Sequence, residues 1–223
     1  MRRSAWAVSF LAILSFSGCF PSRPSVAPLP GTVSSVEGYA SFRLTREGKT
    51  AKSRVSFIFL LPDRGRVELI DPLGRTASLL FLVGDEAYLV LPRKRAYWRS
   101  DREEVMSRLL GFALSPEDLT HILTGKADRL SDWALEKDNH GRVVRGRLAD
   151  LQFEIRLFFE PGSLPRLLVF SREEVKGSLR ILRLNFNPSF RADSFRLFFL
   201  ENGDYRAAAW EEVERWLDED AGR

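Results

Sequence analysis

Two histidines are the first candidates for acid–base or metal chemistry, and neither has a suitable setting. His121 lies between Leu119 and Ile122 in an apolar helical pattern, and His140 lies beside Gly141 in a turn pattern. No pair of carboxylates stands out by its spacing, and neither a G-x-S-x-G sequence nor a phosphate-binding loop occurs. With a single cysteine in the chain, neither a disulfide scaffold nor a zinc site is expected. The sequence therefore predicts a protein that is not an enzyme and that needs no metal or other cofactor.

Cys19 is the residue with the clearest chemical role. Arg2 and Arg3 precede a short apolar run, Ala5 to Phe16, as in a secretory signal peptide. This run is shorter than the roughly 20 residues that span a bilayer. Its end, Phe16-Ser17-Gly18-Cys19, resembles the lipobox at which lipoprotein signal peptidase cleaves. We therefore expect a signal peptide over residues 1–18 and a lipid anchor on Cys19; an ordinary signal peptide with a chance cysteine is the alternative.

The residues after Cys19 indicate where the protein resides. Phe20, rather than aspartate, follows the cysteine, and by the enterobacterial sorting rule this favours the outer membrane. Residues 19–34 are rich in proline and serine and predict a flexible linker. Without Arg2 and Arg3 the formal net charge of +4 falls to +2, which does not call for a nucleic-acid partner. We expect a monomer attached by lipid to the periplasmic face of the outer membrane.

Alternating apolar residues predict most of the body to be β-strand. Val55, Phe57 and Phe59 share one face, and residues 151–159 alternate equally clearly. Turn residues recur about every ten positions, as in antiparallel sandwiches or barrels. The pattern extends to Phe195–Phe199, which is predicted to be a further strand.

Three helices interrupt or follow these strands. The first is predicted over Glu103–Leu110. The second begins after Ser115, where serine, proline and Asp118 form a capping pattern. The third, acidic helix is predicted over Asp204–Leu217. The two central helices would cover one mouth or face of a curved antiparallel sheet.

Bulky apolar side chains are abundant, with 17 phenylalanines and 5 tryptophans. Several strands are apolar on both faces, as in Leu179–Phe186. Such a composition fits a filled core, and it equally fits a sheet that curves around an apolar cavity. Composition alone leaves both interpretations open.

Two stretches of sequence contain motifs in a distinctive order. Residues 70–75, Ile-Asp-Pro-Leu-Gly-Arg, follow the third strand, and residues 102–125 contain a helix ending in Leu-Leu-Gly, a link with Pro116, and a helix ending in Leu-Thr-Gly. Together they resemble the LolB family of outer-membrane lipoprotein receptors, which has a Pro-Leu-Gly loop after its third strand and the same order of helices and link. The similarity covers roughly residues 36–186.

The resemblance implies a mainly β fold with α-helices: an incomplete antiparallel barrel of about 10–11 strands, with a helical lid inserted mid-chain and a C-terminal helix. The barrel domain would span residues 35–200, and residues 201–223 would form an acidic helical extension that the family lacks. The protein would accept acylated lipoprotein cargo from a periplasmic LolA-like carrier and insert it into the outer membrane, without ATP. Leu73, between Pro72 and Gly74, would touch the membrane, unless it folds back on its own sheet.

Strand and helix alternation selects the side chains that would line an acyl cavity. They are Phe42, Phe57, Phe59, Leu69, Leu79, Phe81, Leu109, Leu119, Leu123, Trp133, Phe153 and Ile155. Since side chains alternate along a strand, an error of one residue in a strand would exchange its inner and outer sets.

Two other functions fit the same sequence. A lipid-binding or envelope-sensing lipoprotein of this fold would hold lipid without inserting cargo. An interaction module would use the helix around Trp210 to dock a partner and would have a filled interior. The basic run Arg93-Lys94-Arg95 is expected to be a solvated turn, with a weak attraction for anionic headgroups as the alternative.

Overall fold

A single sheet contains all 13 strands among the described residues of the computed structural model. The structure describes residues 25–26, 28–46, 48–110, 115–126, 130, 133–148, 152–159, 164–191, 193–201 and 203–221. The strands are β1 (Ser25–Val26), β2 (Ser35–Arg46), β3 (Lys49–Leu60), β4 (Arg64–Ile70), β5 (Thr76–Val83), β6 (Glu86–Leu91), β7 (Ala96–Asp101), β8 (Ala134–Lys137), β9 (Val143–Leu148), β10 (Phe153–Phe159), β11 (Pro165–Arg172), β12 (Val175–Phe186) and β13 (Arg206–Ala207). The helices are α1 (Arg102–Leu110), α2 (Pro116–Leu123), α3 (Phe198–Glu201) and α4 (Trp210–Ala221).

The strand order is β13-β7-β6-β5-β4-β3-β2-β12-β11-β10-β9-β8, with β1 beside β12. Neighbouring strands are antiparallel except for the two short pairs β1–β12 and β13–β7. Within the described residues the edge strands β13 and β8 do not pair, so the sheet stays open. The predicted class, a mainly β fold with an incomplete antiparallel barrel, is confirmed. The predicted 10–11 strands correspond to the strands longer than two residues.

Alternation along the strands separates two faces of the sheet. On β3, Val55, Phe57 and Phe59 are buried, while Ser56 and Ile58 on the other side are only partly buried. We call the face that carries these three buried residues the inner face, and its opposite the outer face. Buried residues of α1, α2 and α4, such as Met106, belong to the same cluster as Phe57 and therefore cover the inner face.

The two central helices form as predicted. Helix α1 begins one residue earlier than expected, and Val105 and Met106 turn its apolar side to the sheet. At the start of α2 the Ser115 side chain accepts a hydrogen bond from the Asp118 amide, and the Asp118 carboxylate accepts one from the Ser115 amide. This reciprocal cap satisfies donors that a helix start otherwise leaves open. No helix within the described ranges is long and apolar enough to span a bilayer.

The strand predicted over Phe195–Phe199 is wrong, because this stretch ends in helix α3. Its Phe199 is fully buried, with its ring centroid 5.6 Å from that of Phe81 and 5.2 Å from that of Tyr97. These residues form a second apolar cluster on the outer face, centred on β5 and β6. A short unbroken apolar run fits either a strand or a helix, and here packing against that patch selects the helix.

The C-terminal helix starts later than predicted, at Trp210 instead of Asp204. The residues before it carry β13, which adds a parallel edge to the sheet. The Arg206 amide donates to the Arg95 carbonyl at 3.0 Å, and the Ala208 amide donates to the Tyr97 carbonyl at 2.9 Å. Pairing with an edge strand therefore overrides the helical preference of the alanines at 207–209.

The last residues of the segment predicted as a linker lie against the sheet. Ser25–Val26 pairs with Arg183–Leu184 of β12. The Asn187 side chain accepts from the Ser34 amide at 2.8 Å and donates to the Thr32 carbonyl at 2.8 Å. The signal peptide and Cys19 lie outside the described residues.

The close contact between β2 and β3 yields a stability prediction. A Cβ on Gly38 would lie 2.0 Å from Cζ of Phe57, so the buried ring would have to move. We expect Gly38→Ala to lower the free energy of unfolding by about 1–3 kcal/mol in urea titrations. Gly31→Ala is the control, because no atom lies within 4 Å of its added Cβ. Equal stability of the two variants would contradict this packing.

Candidate functional site

Leu73 is the most exposed large apolar side chain among the described residues, at 75%. It occupies the tip of the loop from Asp71 to Arg75, which joins β4 to β5. Gly74 adopts φ +80°, a conformation that residues with a Cβ rarely reach. Because most of the Leu73 side chain is exposed to solvent, it does not fold back on its own sheet, and that alternative is wrong.

Asp71 fixes the shape of this loop. Its Oδ1 accepts hydrogen bonds from the Leu73 and Arg75 amides, each at 2.9 Å, and its Oδ2 accepts from Arg75 Nε at 3.0 Å. Arg93, from the turn between β6 and β7, forms a second ion pair with the same carboxylate. The role of Asp71 was not predicted, although an aspartate that starts a tight turn is a known sequence signature.

The environment of Asp71 keeps its carboxylate ionised. The hydrogen bond from the Arg75 amide lowers its pKa below the ordinary value of 3.8, and the Arg75 side chain and the Leu73 amide lower it further. Partial burial acts in the opposite direction and does not prevail. At neutral pH the loop is therefore held by a charged acceptor, and charge-assisted hydrogen bonds are the stronger kind.

Ten of the twelve side chains predicted to line the cavity belong to the apolar cluster on the inner face. The Phe57 and Phe59 rings lie 5.4 Å apart, and Trp133 meets Phe153 edge-on at 5.6 Å. The ten are Phe42, Phe57, Phe59, Leu69, Leu109, Leu119, Leu123, Trp133, Phe153 and Ile155. These ten side chains therefore share one apolar cluster on the inner face, and their predicted contact with an acyl chain stays a prediction.

The other two candidates, Leu79 and Phe81, lie on the outer face and pack beneath Phe199. Their neighbours on β5, Leu80 and Leu82, belong to the inner cluster instead. Residues 79–83 are apolar at every position, so alternation along β5 gives no indication of which face is inner. When alternation is read one residue out of step, the inner and outer side chains of a strand are exchanged, and this happened for β5.

Helix α4 covers part of the inner face. Val213 is fully buried, and the Trp210 ring lies 4.6 Å from the Trp98 ring of β7. The Arg108 guanidinium of α1 lies 5.0 Å from the Trp210 ring centroid, which ties the two helices together. Trp210 therefore packs within its own chain, and the buried Val213 makes helix α4 part of the apolar core.

Side chains of α1, α2 and α4 pack on the inner face, where Met106, Ile122 and Val213 are buried. The best-formed groove of the described residues measures about 240 Å³ and lies between α2 and the segment Gly31–Val33. Sites for drug-sized ligands usually exceed about 300 Å³. Five of its eight lining residues are polar, among them Thr120, His121 and Lys126. An acyl chain on the inner face would compete with the covering helices for the same apolar side chains.

The structure can be compared with known proteins. It is similar to a LolA superfamily protein from Nitrosomonas europaea, with TM-score 0.51 and 10% identity. It is also similar to an outer membrane lipoprotein-sorting protein domain from Vibrio parahaemolyticus, with TM-score 0.51 and 11% identity, and to a DUF1329 family protein from Desulfovibrio piger, with TM-score 0.50 and 12% identity. Each match covers 75% of this chain and 92% of the other.

No protein-family model and no curated protein sequence matches the chain. At 10–12% identity the structural matches establish the fold alone. The chain therefore has the open-barrel fold found in the LolA superfamily and in lipoprotein-sorting domains.

The role of Asp71 can be tested by hydrogen exchange. We expect Asp71→Ala to speed exchange of the Leu73 and Arg75 amides at least several-fold, because both lose their acceptor. Asp71→Asn, which keeps Oδ1, should retain part of the protection. In the unaltered chain the pKa of Asp71 lies below 3.8, so protection is complete at neutral pH and is lost only as pH falls below that value. Unchanged exchange in Asp71→Ala would refute this role.

Proposed function

We propose that this protein is a lipid-anchored outer-membrane lipoprotein that receives acylated lipoproteins from a periplasmic LolA-like carrier and inserts them into the outer membrane. The lipid on Cys19 would keep the domain at the bilayer where cargo is released. The acyl chains would lie on the inner face, and Leu73 would contact the membrane during release. No covalent step, metal or nucleotide is needed.

The exposure of Leu73 is the observation that carries this proposal. Complete burial of an exposed leucine side chain contributes about 1.5–3 kcal/mol. Asp71 and Gly74 nevertheless fix the loop so that Leu73 points outward, and its position matches the loop that the LolB resemblance assigns to membrane contact. A rigid, exposed leucine suits repeated contact with an apolar phase.

Transfer would follow a gradient of affinity for the acyl chains. They would leave the carrier for the inner face of this sheet, because that face offers aromatic and aliphatic contacts throughout. They would then enter the bilayer, which buries them more completely. Movement of the covering helices, and no chemical reaction, would control each step.

The first test replaces Leu73 with a charge. We expect Leu73→Glu to leave the free energy of unfolding within about 0.5 kcal/mol of the original, because the side chain is largely solvated. Transfer from a LolA carrier to the protein should also persist, while insertion of a labelled lipoprotein into vesicles should fall at least tenfold. Leu200→Glu, at another exposed leucine, is the matched control. Normal insertion by Leu73→Glu would rule out the proposed role of the loop.

A second candidate function is lipid binding or envelope sensing without insertion of cargo. The fit of α4 on the inner face favours it, because this helix fills space that cargo would need. The two functions predict different bound molecules. Native mass spectrometry should detect phospholipid or glycolipid on a lipid sensor and acylated protein on a receptor.

Both functions require the inner face to open, and Val213 provides a test. We expect Val213→Ala to weaken the packing of α4 and to speed uptake of a fluorescent fatty acid in stopped-flow measurements at least threefold. Val143→Ala is the control, since Val143 is similarly buried on β9 and both variants should lose about 1–3 kcal/mol of stability. Equal uptake rates in the two variants would show that global stability, and not α4, limits access.

A further inference from the structure

The loop that carries Leu73 lies beside an extension of the β2–β3 hairpin. Arg54 of β3 pairs with Ile70, the last residue of β4, so residues 49–53 run past the end of β4. These residues still pair with β2, and β12 lies on the other side of β2 in the sheet. The hairpin and the loop therefore project from the same rim of the sheet.

Exposed cations occupy the outer face of this rim. Arg43 and Lys52 are direct cross-strand partners, and Arg54 lies two residues from Lys52 on the same face. Lys176 of β12 pairs with Thr45 and so lies diagonal to Arg43. Arg75 extends the row into the loop itself and is 59% exposed at its side chain. We call these five residues, Arg43, Lys52, Arg54, Arg75 and Lys176, the basic rim.

Carboxylates within the described residues do not neutralise the centre of the basic rim. None of them pairs with Arg43 or Lys52, and Arg54 donates to the neutral Tyr39 hydroxyl at 3.1 Å. Asp71 is already shared by two arginines, Arg75 and Arg93.

The other nearby carboxylates that the structure describes lie at the margins of the basic rim. Glu68 forms an ion pair with Arg66 and accepts a hydrogen bond from Thr76. Glu173 and Glu174 are exposed in the turn that leads to Lys176, at one end of the rim. Like charges directly opposite each other destabilise a sheet, so the Arg43–Lys52 pair is an unfavourable arrangement unless an anion binds there.

We propose that the basic rim docks on the surface of a bilayer that contains anionic phospholipid, so that Leu73 meets the membrane beside it. The inference rests on the proposed membrane contact of Leu73 and names the lipid surface that this contact requires. Cations beside an apolar tip are complementary to phosphate groups that overlie hydrocarbon. A single small apolar contact gives weak attachment, and a basic patch supplies the second attraction.

The test uses the full chain with Cys19→Ala, which removes the proposed anchor. Binding is measured by sedimentation with vesicles of phosphatidylcholine alone and of phosphatidylcholine mixed with phosphatidylglycerol. We expect Arg43→Gln/Lys52→Gln to bind the mixed vesicles at least about tenfold more weakly than its parent. The parent's preference for mixed vesicles should also decrease as salt is raised.

Arg64→Gln/Lys137→Gln is the matched control. It removes the same charge from exposed residues at the opposite rim, at the start of β4 and the end of β8. Residues 1–18 are identical in all variants, so any contribution that they make to vesicle binding cancels in the comparison. Equal losses in both double variants, or none in either, would overturn the proposal. Loss of binding in inorganic phosphate but not in chloride of equal ionic strength would also overturn it, by indicating a site for free phosphate.

Fatty-acid uptake by the same variants separates this inference from the proposed function. Uptake should be unchanged in Arg43→Gln/Lys52→Gln, because both residues face away from the inner cluster. If the parent failed to take up any fatty acid while its docking still depended on the basic rim, the proposed function would fail and the docking surface would stand.

Discussion

The structure depends on covering the inner face of one open sheet. Strands β2, β3 and β10 turn phenylalanine, isoleucine and valine side chains to that face, and an open sheet cannot bury them by closing on itself. Helices α1, α2 and α4 supply the second layer, with Met106, Ile122 and Val213 fully buried against it. The two central helices lie between β7 and β8 in the chain. They therefore precede strands β8–β12, which form the other part of the sheet.

This constraint also shapes what the protein can do with lipid. The side chains that would hold an acyl chain are the ones that stabilise the closed form. Ligand therefore competes with the helices for the same apolar surface, and binding must offset the loss of helix packing. Arg108 of α1 lies over the Trp210 ring of α4, and both residues also contact Trp98 of β7, so the two helices share one point of attachment to the sheet. A closed resting state would also keep the inner face from water when no cargo is present.

Sequence patterns predicted the fold where each strand has one apolar and one polar side. This holds for most of β10, where Phe153 and Ile155 alternate with Glu154 and Arg156, and the capping residues Ser115 and Asp118 located α2 correctly. The patterns failed where both faces are buried. Leu79 and Phe81 were assigned to the inner face because nothing in residues 79–83 distinguishes the two sides, and only the short helix α3 explains their burial. The packing of α4 on Trp98 joins residues more than 100 positions apart and leaves no local trace in the sequence.

The loop around Leu73 combines strong local order with a small apolar contact, and this combination suits a transient role. One leucine contributes at most about 1.5–3 kcal/mol on burial, far less than a multi-chain lipid anchor. In the proposed function, a loop that inserted more apolar surface would hold the domain on the membrane and hinder its return to a carrier. Because Asp71 holds the backbone in place before contact, little conformational entropy is lost when Leu73 meets lipid. The small apolar gain is then retained as binding, while the lipid proposed on Cys19 would provide lasting attachment to the membrane.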